Sequence, residues 1–157
     1  MKQLFLFAAT LLVCLSAQAQ EPREVQHFAH RASRFEYEEN TLEAFKATYN
    51  KGIRGYETDI RFTADGELVI SHDETLSRLT PSDGNVEKMT RKEISKVRTD
   101  GGNKILFADE LAKWLSKRDG VYVEWEMKSG GYDDEKLRQY CDKLYKTAMK
   151  NKPENST

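Results

Sequence analysis

The sequence has only two cysteines, which argues against a small fold held together by disulfide bonds. Cys14 lies in an apolar N-terminal segment, so a mature chain without that segment retains Cys141 alone and forms no internal disulfide. An excess of charge of either sign is also lacking, since 25 Lys and Arg residues stand against 26 Asp and Glu residues. This balance argues against the one-sided basic surface that holds a nucleic-acid backbone, and we expect no nucleic-acid partner.

Long hydrophobic runs are lacking except at the N-terminus, where residues 4–15 are apolar. A helix of this length covers only about 18 Å, less than the roughly 30 Å hydrocarbon core of a bilayer. Lys2 precedes the run and Ala17-Gln18-Ala19 follows it, which is the pattern of a secretory signal peptide comprising residues 1–19. We therefore expect export to a periplasm or to the extracellular space, without a stable membrane anchor.

The composition that remains is sufficient for one folded domain, with 157 residues of which 38% are hydrophobic and 10% aromatic. Strand-like runs alternate with helical patterns along the chain. The strand-like runs are residues 25–29, 55–62, 67–70 and 121–127. Helical patterns begin near Asn40, Thr90, Phe107 and Asp133. This order predicts an α/β fold in which crossover helices join parallel strands.

Two of the predicted helices begin with the sequence of a capping box. Asn40 stands three positions before Glu43, and Thr90 stands three positions before Glu93. In all, the chain supplies about three βα units, whereas an eight-unit barrel usually needs about 250 residues. A fourth strand is expected where the sequence stops.

Two of the predicted strands carry carboxylates on one face. Glu57 and Asp59 are two residues apart, and Glu124 and Glu126 repeat the spacing on another strand, followed by Lys128. Acidic faces of two strands in a parallel sheet can converge on one cation, and oxygen ligands suit Ca²⁺ or Mg²⁺ better than zinc. The alternative is a solvated acidic face with no metal.

Histidines stand at the ends of two predicted strands. His30 precedes Arg31 after the first strand, and His72 follows the strand at 67–70. Near neutral pH, two such rings on either side of a scissile bond form an acid and base pair, and a guanidinium offers a planar fork for a phosphate. The alternative is that both are surface or capping residues. His27 lies inside the first predicted strand, and we assign it to packing.

Several segments, taken in their order and spacing, resemble the glycerophosphodiester phosphodiesterase family. They are His30-Arg31 and residues 39–45, 55–60, 63–66 and 71–76. Residues 124–128, Glu-Trp-Glu-Met-Lys, are similar to the acidic third-strand motif of the same family. The resemblance covers about residues 25–150.

The resemblance implies a TIM-barrel enzyme of lipid metabolism that hydrolyses glycerophosphodiesters to glycerol 3-phosphate and an alcohol with a divalent metal. Residues 20–157 then form part of such a domain, an incomplete barrel of about three βα units. Carried over by position, the resemblance implies three metal ligands, an acid and base pair, and two phosphate contacts. These are Glu57, Asp59 and Glu126 for the metal, His30 and His72 for proton transfer, and Arg31 and Lys128 for the phosphate.

The chain departs from the family pattern at two positions near the first histidine. Ala32 stands where the family usually has Gly, and Glu38 stands where Pro usually precedes Glu-Asn-Thr. We expect both departures to shift the loop more than the chemistry. The later barrel strands are also missing, and the exposed edges of an unfinished sheet predict poor stability for the isolated chain.

Two other functions compete with hydrolysis of soluble glycerophosphodiesters. One is a catalytically silent fragment that binds metal or phosphate, and the other is a phospholipase or sphingomyelinase D-like enzyme that acts on intact lipids. The loops after Arg31 and His72 are polar, which favours a soluble small-molecule substrate over a membrane surface. The preferred head group, the metal and the oligomeric state stay open at this point.

Overall fold

The computed structural model describes residues 27–128, 130–150 and 152–157, so the predicted signal peptide lies outside the described residues. The strands are β1 (Phe28–Ala29), β2 (Gly55–Phe62), β3 (Leu68–Ile70) and β4 (Tyr122–Met127). The helices are α1 (Leu42–Asn50), α2 (Arg91–Ile94), α3 (Ala108–Leu115) and α4 (Asp134–Met149), with short 3-10 turns at His30–Ala32 and Val86–Lys88. None of the described helices is long and apolar enough to cross a membrane.

The four strands form one sheet with β2 at its centre. β2 pairs in parallel with β1 and with β4, and its end pairs antiparallel with β3. Helix α1 connects β1 to β2, α2 and α3 lie between β3 and β4, and α4 follows β4. The predicted α/β fold with three βα units is therefore confirmed.

The core lies between the sheet and its helices. Alternate residues of β2 are directed to the core, where Tyr56 and Ile60 are fully buried against Phe45 of α1 and against α3 and α4. Phe45 and Tyr56 pack with ring centroids 5.2 Å apart. On α4, Tyr140 is fully buried and its hydroxyl donates a hydrogen bond to the Ile60 carbonyl. The helices thus hold one face of β2 and leave its other face for the polar residues.

Of the two predicted capping boxes, one agrees with the structure and the other differs by one residue. Thr90 and Glu93 form the predicted reciprocal capping box at α2. At α1 the capping residue is Thr41, whose hydroxyl accepts from the Ala44 amide, and not Asn40. The side chain of Asn40 turns instead toward Asp59 of β2. The packing role assigned to His27 is wrong, since this residue precedes β1 and is exposed.

The outer edge of β4 is paired in part by the C-terminal residues. The Thr157 amide donates to the Val121 carbonyl at 2.9 Å, and the Val123 amide donates to the Thr157 carbonyl at 2.8 Å. In parallel strands, a residue bonds to the two residues on either side of the one that it faces. Thr157 therefore pairs with β4 in the parallel manner, while no strand is assigned to the described residues after α4 and the expected fourth strand stays a prediction.

Candidate functional site

The polar face of β2 meets the polar face of β4 at one point. Glu57 and Asp59 lie on the same side of β2, and the register places Asp59 opposite Glu126 of β4. One carboxylate oxygen from each of these three residues lies within 4.8 Å of the others. The structure therefore brings together all three predicted metal ligands, which we call the acidic triad. Glu124 is exposed and is not part of it.

The donor atoms of the acidic triad fit a hard divalent cation. Glu57 Oε1 is buried and has no hydrogen-bond partner among the residues that the structure describes. Burial raises the pKa of Glu57 above its ordinary value, and the nearby Asp59 and Glu126 carboxylates raise it further, against the Arg31 amide and His30. Three crowded carboxylates with an orphaned oxygen are the kind of oxygen ligand set that Ca²⁺ and Mg²⁺ prefer.

Lys128 lies against the acidic triad. Its ammonium is 3.1 Å from Asp59 Oδ1 and 2.5 Å from Glu126 Oε1. Burial lowers the pKa of Lys128, but the bonds to Glu126 and Asp59 outweigh this and leave the pKa raised. The lysine is thus held charged at the place predicted for a phosphate contact.

Arg31 lies at the base of the site with a buried side chain. Its backbone amide donates to Glu57 Oε2 at 2.9 Å, and its guanidinium lies 3.3 Å from Glu39 and 3.5 Å from Asp59. Two carboxylates therefore hold the guanidinium beside the acidic triad. The phosphate contact expected of Arg31 stays a prediction.

The two predicted catalytic histidines occupy different surroundings. His30 Nε2 lies 3.6 Å from Glu57 Oε2, and the side chain is 53% exposed. His72 follows β3, and its Nδ1 lies 2.7 Å from Asp73 Oδ1. His30 therefore borders the acidic triad directly, while His72 is oriented by its own neighbour in sequence.

Arg61 and Asn40 position the site, although the sequence analysis assigned neither a role there. Arg61 continues the alternation of Glu57 and Asp59 on β2, and its guanidinium donates two bonds to the His72 carbonyl at 3.0 and 3.1 Å. The Asn40 amide donates to Asp59 Oδ2 at 2.9 Å, and Asn40 adopts a left-handed φ of 57°. The period-two pattern was a signal for Arg61, whereas nothing local distinguished Asn40 from a helix cap.

The two departures from the family pattern have structural consequences. Ala32 is fully buried and has a φ of 58°, a left-handed conformation that costs residues other than Gly roughly 1–2 kcal/mol. Glu38 accepts hydrogen bonds from Thr99 Oγ1 at 2.5 Å, Asn103 Nδ2 at 2.5 Å and the Gly101 amide at 2.6 Å. The carboxylate therefore ties the loop after His30 to the turn at residues 99–103.

We expect replacement of Glu38 by Gln to lower the free energy of unfolding by about 2 kcal/mol at pH 7, because a charged acceptor of three hydrogen bonds is lost. Burial raises the pKa of Glu38, but the bonds from Thr99, Asn103 and Gly101 outweigh it and leave the pKa lowered. The stabilisation is then present above the unfolded pKa of about 4.3 and is lost as the pH falls below it.

Urea unfolding of the wild type and the variant between pH 7 and about pH 3 measures this difference and its loss below the unfolded pKa. Glu36→Gln is the matched control, since Glu36 pairs only with the exposed Lys51 and such pairs contribute little. Equal stability of Glu38→Gln and Glu36→Gln at pH 7 contradicts the expectation.

A family model described as the glycerophosphoryl diester phosphodiesterase family matches residues 30–151 of the chain. A glycerophosphodiester phosphodiesterase of Caldanaerobacter subterraneus subsp. tengcongensis is 42% identical over 84 residues, which cover 54% of this chain and 33% of that protein. The crystal structure of a glycerophosphodiester phosphodiesterase from Thermotoga maritima is 29% identical, with a TM-score of 0.65 over 85% of this chain and 52% of that one.

A phosphodiesterase of Oleispira antarctica, solved in complex with the product sn-glycerol-3-phosphate, has a TM-score of 0.73 at 24% identity. The match covers 84% of this chain and 55% of that chain, and at this identity it shows the fold alone. Together with the Thermotoga structure, it shows that the three βα units have the TIM-barrel type of fold. The chain spans between 33% and 55% of the length of these three proteins.

Proposed function

Because this chain belongs to the glycerophosphoryl diester phosphodiesterase family, we propose that it carries the catalytic groups of an enzyme that hydrolyses glycerophosphodiesters to glycerol 3-phosphate and an alcohol. We propose further that the reaction depends on Ca²⁺ or Mg²⁺. The observation that carries the proposal is the acidic triad of Glu57, Asp59 and Glu126, whose carboxylates come within 4.8 Å of one another beside His30. The relative from Caldanaerobacter subterraneus, named a glycerophosphodiester phosphodiesterase and 42% identical over 84 residues, supports a glycerophosphodiester as substrate.

Cationic groups around the site suit an anionic substrate. A phosphodiester repels nucleophiles until positive charge offsets its non-bridging oxygens. When bound to the acidic triad, a divalent cation supplies part of that charge. Lys128 adds a fixed ammonium next to Asp59 and Glu126, and Arg31 adds a guanidinium held by Glu39. Both residues orient the phosphate for attack.

The two histidines provide the proton transfers. One ring accepts the proton of the attacking hydroxyl, and the other donates a proton to the oxygen of the departing alcohol. His30 is half-exposed beside Glu57, so it is accessible to a substrate over the acidic triad. His72 uses Nδ1 for its bond to Asp73, which leaves Nε2 for the substrate.

Release of glycerol 3-phosphate from glycerophosphocholine tests the proposal. We expect release by the wild-type chain in the presence of Ca²⁺ or Mg²⁺. Glu57→Ala is expected to release at least a hundredfold less, because loss of one group that stabilises charge in the transition state costs roughly 10²- to 10³-fold in rate. Glu124→Ala is the matched control, because Glu124 is an exposed acidic residue of β4 outside the acidic triad. It is expected to retain wild-type activity.

Three outcomes contradict parts of the proposal. Equal rates for the wild type and Glu57→Ala exclude the metal role of this residue. Release of a head group from intact sphingomyelin or lysophosphatidylcholine, without activity on glycerophosphocholine, excludes the soluble substrate. No release with either metal shows that this chain is not by itself the enzyme.

A further inference from the structure

We propose that Arg78 is a positioning residue for His72, which it orients through Asp73 and connects to the acidic triad through Glu39. The catalytic meaning of this inference rests on the proposed function, since His72 transfers a proton only in that reaction. The orientation of the ring is a property of the chain itself.

The network begins at the bond between the His72 ring and the Asp73 carboxylate. Nδ1 of the ring lies 2.7 Å from Asp73 Oδ1. Burial raises the pKa of Asp73, but the bonds from His72 and Arg78 outweigh it and leave the pKa lowered, so the carboxylate is ionised and only accepts. The neutral ring must then carry its proton on Nδ1, and Nε2 presents a lone pair.

Arg78 binds the other carboxylate oxygen of Asp73. Arg78 Nε donates to Asp73 Oδ2 at 2.5 Å, while Oδ1 of the same carboxylate faces the histidine. Rotation of the Asp73 carboxylate breaks one bond or the other. The guanidinium therefore holds the acceptor that selects the tautomer of His72.

Glu39 and Arg31 connect Arg78 to the acidic triad. Its two terminal nitrogens donate to both oxygens of Glu39, at 2.7 and 3.1 Å. The Glu39 side chain is only 6% exposed and lies 3.3 Å from the Arg31 guanidinium, which in turn is 3.5 Å from Asp59. Alternating charges thus extend from His72 to the acidic triad in one continuous network.

Two further observations favour positioning over packing. The Arg78 side chain is 45% exposed, so its aliphatic part contributes little to the core. Arg61 fixes the backbone of His72 through its two bonds to the carbonyl, so the ring can still rotate about its side-chain bonds. The bond to Asp73 restricts this rotation. Lysine cannot replace Arg78, because a single ammonium does not reach three acceptors in the plane of a guanidinium fork.

The ¹⁵N NMR signals of the His72 ring test the inference without need of activity. We expect an Nδ1–H ring in the wild type, a mixture rich in Nε2–H in Arg78→Gln, and an intermediate mixture in Arg78→Lys. Arg98→Gln is the matched control, because among the described residues the Arg98 side chain donates only to the backbone carbonyls of Ser95 and Val97. A wild-type tautomer in both Arg78 variants overturns the proposal, and if Arg78→Gln does not fold, Arg78→Lys decides.

Steady-state kinetics on glycerophosphocholine provide the second readout. We expect Arg78→Gln to lower kcat by about 10- to 100-fold, less than full loss of a general acid or base, with KM changed less than about threefold. An unchanged kcat, or an equal change in KM and kcat, overturns the catalytic part of the inference. If the wild-type chain itself is inactive, the proposed function fails, while the NMR result still decides whether Arg78 orients His72.

Discussion

Replacement of Asp59 by Asn is expected to reduce the affinity of the chain for Ca²⁺ or Mg²⁺ by at least about 100-fold, more than the loss of an outer-shell partner. Asp59 is fully buried at the centre of the acidic triad, with Asn40, Arg31 and Lys128 around its carboxylate. Asn keeps the shape of the side chain and one oxygen, but removes the charge that a hard cation requires. Isothermal titration calorimetry of the purified chain measures the change.

Glu124→Gln is the control for this experiment. It removes one acidic charge from the same face of β4, opposite Glu57, but Glu124 supplies no oxygen to the acidic triad. We expect its metal affinity to stay within about threefold of the wild type, as for an exposed charge screened by solvent. Equal loss in Glu124→Gln and Asp59→Asn shows that only diffuse negative charge attracts the metal.

Metal affinity is also expected to fall as the pH is lowered. Burial raises the pKa of Glu57, with the Asp59 and Glu126 carboxylates adding to the effect. Protons therefore compete for this ligand at a higher pH than for an ordinary glutamate, and metal binding releases a proton. Titrations from pH 8 to pH 5 test this, and an affinity independent of pH over that range contradicts it.

Replacement of His72 or His30 by Ala is expected to lower kcat on glycerophosphocholine by about 10²- to 10⁴-fold, the contribution of a general acid or base. Removing the second histidine from either variant is expected to cost less than removing it from the wild type, because the two proton transfers belong to one reaction. Single-turnover measurements at saturating substrate separate this loss from a change in binding.

His27→Ala is the matched control, since His27 is an exposed histidine that precedes β1 and has no assigned role in the site. It is expected to keep the wild-type rate. Activity of His72→Ala within tenfold of the wild type excludes this ring as acid or base.

Local patterns predicted most of the elements correctly. The strand-like runs at residues 55–62 and 67–70 predicted β2 and β3, because the period of two is a local property of a strand. The capping box at Thr90 likewise needs only four adjacent residues. Asn40 has the same spacing to Glu43, yet its side chain bonds Asp59, 19 residues away, and leaves the cap to Thr41.

The membership of the acidic triad was partly a local prediction. Alternation places Glu57 and Asp59 on one face of β2, and the family resemblance added Glu126. The register between β2 and β4 places Glu124 opposite Glu57 and Glu126 opposite Asp59, and of these two only Glu126 belongs to the group of carboxylates within 4.8 Å of one another. The resemblance had assigned Glu126 by position, and the folded sheet shows the physical basis, because the register decides which side chains of two separate strands face each other.

Residue types and short spacings in the chain were sufficient for the α/β class, the three βα units and the placement of Glu57 and Asp59 on one face of β2, since each depends on periodicities that neighbouring residues set. The roles of His30 and His72 stay predictions. The signal peptide stays a prediction, as residues 1–26 are not described. The folded chain alone revealed that Arg78 joins Asp73 to Glu39, which lies 39 residues before Arg78, and that Arg61 binds the His72 carbonyl. Such contacts form between separate elements, and their geometry follows from how the loops and strands pack rather than from any local pattern.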